Sequence, residues 1–151
     1  MRVSIRTVIL AAGASVISAA RPYAAPNPMT VVVVNGPYAG TYNARADEVV
    51  CLHAKAQKSY AASFKDFEAS SPRGFAEGGL NVSNPDAPGP KTGELFAAFG
   101  TKDKRSAVYD ITDAPITMKI TAKGADFVGT GKTKEGIQIR VTASCVDVMT
   151  M

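Results

Sequence analysis

The residues that could do chemistry are few and scattered. The string Gly129-Thr130-Gly131-Lys132-Thr133 ends like a phosphate-binding loop. There, glycines let backbone N–H groups cradle phosphates while Lys and Thr contact phosphate and magnesium. The full pattern requires a glycine at position 126, which is Asp126, a carboxylate that would repel phosphate. The string reads better as a strand end rich in Gly and Thr. His53 is the only imidazole, so any Ser-His-Asp arrangement must use it, and no Gly-x-Ser-x-Gly elbow accompanies it. With Cys51 it makes a Cys-x-His pair, two ligands where a zinc site needs three or four. Asp110 with Asp113, and Asp66 with Glu68, are the carboxylate pairs that glycoside hydrolysis could use. These acids sit near turns or alternate along a strand, where capping and solvation are their ordinary roles. No cofactor is implied.

The cysteines carry a firmer implication. Residues 1–20 read as a secretory leader: Arg2 and Arg6, then the uncharged stretch Thr7–Ile17, then small residues at Ser18 and Ala20 before the cut. The stretch is shorter than the roughly 20 residues of a bilayer span, and no later segment is long enough for one. An even cysteine count in an exported chain favours one intramolecular bridge, Cys51–Cys145. The expected location is periplasmic or extracellular.

Export also changes the electrostatics. The chain of 151 residues carries 17 basic and 13 acidic residues. Removing the leader leaves 15 basic residues against 13 acidic, a net charge of +2 rather than +4. The basic residues Lys102, Lys104, Arg105, Lys119 and Arg140 are the candidates for a binding surface, toward an acidic partner or lipid headgroups. Acids are interleaved with them and no aromatic series accompanies them, which argues against nucleic acid. Asn81-Val82-Ser83 fits a glycosylation acceptor, meaningful only in a eukaryotic secretory pathway.

The elements that must position these residues are strands. Gly, Pro, Asn and Asp punctuate the chain at short intervals, as in Asn35-Gly36-Pro37, Asn84-Pro85 and Asp113-Ala114-Pro115. Ile116–Ala122 and Ile137–Cys145 alternate apolar and polar residues, the mark of half-buried strands. Between them Asp126–Thr133 completes a meander. Val31–Val34, Tyr38–Asn43, Leu80–Ser83 and a hairpin of Gly93–Gly100 with Ser106–Ile111 are further expected strands. The stretch 45–67 suits either a hairpin turning at Gln57-Lys58-Ser59 or a helix near 46–62, because Val49, Leu52, Ala56, Tyr60 and Phe64 also fall at helical spacing.

The expected architecture is therefore an all-β antiparallel sandwich or barrel with one disulfide, the alternative being α+β with that one helix. Its expected organisation is a leader over 1–20, an extended arm over 21–30 and a single domain over 31–151. The expected function is an exported binding or structural module whose partner is a protein or envelope component. Two alternatives stand beside it: an exported hydrolase using His53 or a carboxylate pair, and a carrier of a small apolar ligand.

Overall fold

The computed structural model describes residues 27–44, 48–66, 71–101 and 103–151. The leader, most of the arm, Glu68 and Lys102 lie outside the described residues. Ten strands form one sheet: β1 (Met29–Val33), β2 (Gly40–Asn43), β3 (Val49–Ala54), β4 (Ser59–Lys65), β5 (Phe75–Ser83), β6 (Lys91–Gly100), β7 (Arg105–Ile120), β8 (Ala125–Lys132), β9 (Gln138–Cys145) and β10 (Val148–Thr150). Their order is β10-β3-β4-β5-β6-β7-β8-β9-β1-β2, antiparallel throughout except where β10 runs parallel to β3. The fold is all-β, a curled sheet of half-barrel or sandwich-like form.

The curl follows from the last strands. β9 pairs with β8 and β1, then the chain bends at Val146–Asp147 and continues as β10 along β3. One continuous piece of chain thus joins the two halves of the sheet. The bend is fixed by the buried side chain of Asn27. Its Oδ1 accepts from the N–H groups of Val146 (2.8 Å) and Asp147 (3.0 Å), and its Nδ2 donates to the carbonyls of Val49 (3.2 Å) and Asp147 (3.0 Å). That uses both donors and both acceptor lone pairs of the amide. Beside it, Cys51 of β3 and Cys145 of β9 form a disulfide with Cα atoms 5.9 Å apart, across a sequence separation of 94.

Inside the curl the apolar faces meet. Phe64, Phe75, Phe99, Phe127, Leu80, Leu95, Val31 and Ile139 are fully buried. The aromatic rings touch in series, Tyr42 on Phe75 and Phe99, Phe75 on Phe64, and Tyr60 on Phe127. Burying side chains of this size stabilises the fold by about 1.5–3 kcal/mol each. Close approach across the interior needs glycine at Gly78, where a Cβ would stand 2.7 Å from the Phe75 ring and 2.9 Å from Val31 Cγ2.

Several expectations need correction. Residues 49–54 and 59–65 are two strands around a turn at 55–58, so the helix near 46–62 is not formed, and with it the α+β alternative falls. The tertiary pairing decides: alternate residues Val49 and Cys51 on β3, and Tyr60, Ala62 and Phe64 on β4, all face the interior. The expected turn at Asp113-Ala114-Pro115 instead lies within the single strand β7. The ladder to β6 slips between Gly93 and Leu95, Asp113 takes a positive φ of 55°, and Pro115 sits at this irregularity, where a missing N–H is tolerated. β5 begins at Phe75 rather than Leu80, and β1 at Met29 rather than Val31.

Two outcomes follow for stability. Replacing both cysteines by alanine is expected to lower the unfolding free energy by about 2–5 kcal/mol. Asn27→Ala, which removes the partner of one buried and three part-buried backbone groups, is expected to cost about 1–3 kcal/mol. Urea unfolding followed by tyrosine fluorescence checks both, and a loss below 0.5 kcal/mol in either would contradict the role given to that contact.

Candidate functional site

Polar chemistry gathers at one end of the curl, where the β3–β4 turn meets the connection 84–90 between β5 and β6. Lys58 (φ 50°) and Asn84 (φ 49°) turn the two segments, and the Asn84 N–H donates to the Lys58 carbonyl at 2.7 Å. The Ala87 N–H donates to the Asn84 carbonyl, and Lys91 Nζ donates to the carbonyl of Ala87. Lys55, Lys58, Asn84, Pro85, Asp86 and Ala87 line a concavity of about 390 Å³.

His53 lies at this end. Its ring stacks on Tyr60 with centroids 4.9 Å apart and an interplanar angle of 17°. Its Nε2 is 3.7 Å from Asp86 Oδ2, within ion-pair reach and beyond hydrogen-bond length. The imidazole is four-fifths covered while the Asp86 carboxyl is largely exposed. Neither His53 Nε2 nor Tyr60 Oη has a hydrogen-bond partner among the described residues. Burial raises the Tyr60 phenol above its ordinary pKa. This is an imidazole–carboxylate pair with an aromatic backing. Acyl transfer further requires a hydroxyl or thiol hydrogen-bonded to the imidazole, and none occupies Nε2, while both thiols are joined in the disulfide.

The other candidates are dispersed. Asp110 projects from the outer face of β7 beside Glu94 and Thr112 around a recess of about 220 Å³, and Asp113 does not line it. Asp66 is buried at the end of β4. Gly129 and Gly131 face inward on β8: a Cβ on Gly129 would collide with Leu95, and one on Gly131 would stand 2.7 Å from Ile111 Cγ2. These glycines make room for β6 and β7 side chains, and the string pairs with antiparallel β9, and at Gly129 also with β7, rather than preceding a helix. Among the described residues, no group of three or more His, Cys, Asp or Glu is placed to hold a metal ion.

The basic candidates separate into two groups. Lys104 and Arg105 occupy the β6–β7 turn. Arg105 is committed there, with Nη2 2.9 Å from Glu77 Oε2 and Nη1 donating to the Gly100 carbonyl at 3.1 Å. Lys119 stands near the other end of β7, up to about 50 Å away along a strand of this length. Arg140 lies opposite Thr130 and Val32 on the outer face of β9. Asp126, opposite Lys119, accepts a 2.6 Å hydrogen bond from Ser144. Lys102 belongs to the first group in sequence. No single patch holds all five.

The end opposite His53 is closed by aromatic packing. Tyr38 stacks on Phe99 at 4.3 Å, and Arg73 lies over the Tyr38 ring at 5.9 Å. Desolvation, then repulsion from Tyr38 and Tyr42, raises the Tyr109 phenol. The chain matches no protein-family model, and no curated protein or solved structure matches it.

The phenols give a pH dependence with a definite sign. Where the folded pKa is raised, the unfolded chain ionises first and binds fewer protons, so stability holds below about pH 10 and falls above it. Tyr60→Phe is expected to reduce that alkaline loss. Urea midpoints at pH 8 and pH 10.5 check this, and an equal fall in Tyr60→Phe and the parent chain would contradict it.

Proposed function

We propose that the protein is an exported β-domain of the periplasm or cell envelope, acting through its surface as a binding or structural module. The observation that carries the reading is the Cys51–Cys145 bridge. It joins the strands on either side of the sheet's closing bend and persists only where thiols are oxidised. The leader over 1–20 agrees with it. The interior supports a surface role, because Phe64, Phe75, Phe99 and Phe127 occupy the space that a carrier of an apolar ligand would leave open. Dispersal of the carboxylates and bases supports it too, since a catalytic set must converge on one reacting atom.

One observation favours the hydrolase reading, the His53–Asp86 pair at 3.7 Å. A hydrolytic activity abolished by His53→Ala with folding intact would establish it in place of the binding role.

Expression of the complete chain in a bacterium tests the export reading. The expected product is periplasmic, begins after residue 20, and takes up no alkylating reagent until reduced. Cytoplasmic retention with two alkylated thiols would overturn it.

A further inference from the structure

β7 outlasts β6. The ladder between them ends at Lys91 opposite Ile116, whereas β7 continues to Ile120 along β8. Thr117–Ile120 therefore have a hydrogen-bonded strand on one side only. An open strand edge offers backbone N–H and C=O groups at the repeat that an incoming strand requires.

The two outermost strands of the sheet are guarded differently. At the start of β2, the Arg73 guanidinium donates to the carbonyls of Pro37 and Ala39. At β10, the turn before β8 packs close, and a Cβ on Gly124 would lie 2.8 Å from Val148 Cγ2. Beside Thr117 and Met118, Gly89 and Pro90 stand across a groove and form no backbone ladder with them.

The surroundings of this edge specify a partner. A groove of about 530 Å³ runs beside it, with Gly89, Pro90 and Lys91 on one side and Thr117, Met118 and Val128 on the other. Lys91 lines it, Lys119 follows Met118 on β7 and Lys123 lies in the turn after that strand, and none of the three pairs with a carboxylate among the described residues. Asp126, opposite Lys119 on β8, is bonded to Ser144. Ile120 is 67% exposed, an apolar surface that an added strand would cover.

We propose that the Thr117–Ile120 edge of β7 is a docking site for an extended acidic segment of a partner protein. The segment adds as a further strand and sets its carboxylates against Lys91, Lys119 and Lys123. Backbone pairing supplies adhesion and the lysines select for acid. The proposal rests on the binding reading above and names its partner class.

The test uses the exported, disulfide-bonded protein and a fluorescent octapeptide of alternating Thr and Glu, followed by anisotropy. The expected result is saturable binding. It should weaken at least about tenfold for the same peptide N-methylated at alternate residues, and equally for the Lys119→Glu/Lys123→Glu protein. Amide exchange over 117–120 should slow by at least about tenfold on binding. The Thr-Lys counterpart should not bind. Equal binding by the N-methylated peptide would mean charge attraction without strand addition, and absence of binding or of protection at 117–120 would reject the site. Self-association lost in the double variant, seen by sedimentation, would assign the edge to a second copy instead. Each of these leaves export and the disulfide untouched, whereas cytoplasmic retention with free thiols defeats the underlying reading.

Discussion

Everything in this fold depends on how the chain turns at Val146–Asp147. Before the bend, the backbone belongs to the β8–β9–β1 part of the sheet; after it, to β3. The bend lets one continuous segment of chain pair with both halves of the sheet. A bend that leaves both ladders takes its N–H and C=O groups away from strand partners. Asn27 supplies the missing partners, two accepted and two donated hydrogen bonds from one amide. The disulfide holds the same place by a different means, since it restricts the unfolded chain as well as the folded one. The two devices are complementary: the amide satisfies the bend and the sulfurs fix which strands it joins.

Closure in turn decides where function can reside. With the strands drawn together, the aromatic series from Tyr42 through Phe75 to Phe64, and from Tyr60 to Phe127, fills the interior. A solid interior leaves the ends and the outer faces. The Tyr38 end is tied by stacking and by Arg73, which holds two carbonyls of the preceding loop. The His53 end is looser in chemistry, with an imidazole and a phenol that lack hydrogen-bond partners among the described residues and a carboxylate reaching in from the β5–β6 connection. The two ends of one curled sheet are thus unlike. At one, the Tyr38 stack and the Lys65–Glu77–Arg105 ion pairs are tied down. At the other, an imidazole and a phenol keep polar atoms without a hydrogen bond among the described residues.

How much of this was legible in the sequence depended on whether local pattern and tertiary pairing agreed. Ile137, Ile139, Val141, Ala143 and Cys145 alternate cleanly, and β9 lies there within one residue. β5 was half hidden, because Gly78 and Gly79 carry no side chain to mark a face. The ambiguity over 45–67 was physical: Val49, Leu52, Ala56, Tyr60 and Phe64 satisfy a helical stripe, and only pairing with β5 and β10 selects the strand. β10 has three residues, too few for any period. At the candidate site, His53 could be singled out by type. Asp86 could not, because the turn that carries it meets the imidazole only when β3 and β5 are brought together around β4. Tyr60 had an aromatic signal but no means of telling core from site.

The same distinction explains why the open edge of β7 escaped the sequence. Ile116–Ala122 alternates, and β7 runs through it to Ile120 with Ile116 buried, Met118 half-buried and Ile120 exposed. Yet alternation reports the two faces of a strand and is silent about its two edges. An edge is exposed when a neighbour stops short, and β6 stops at Lys91 because Pro90 and the turn 84–90 precede it. Lysines at such a place are a familiar guard against indiscriminate pairing. Before β2 the contact is structural, an arginine bonded to two carbonyls of the preceding loop. At this edge Lys91, Lys119 and Lys123 form no ion pair among the described residues, so the same charges that repel a basic strand reward an acidic one. A guard that works by charge sign is also a selectivity filter, and its strength should decline with salt as exposed charges are screened.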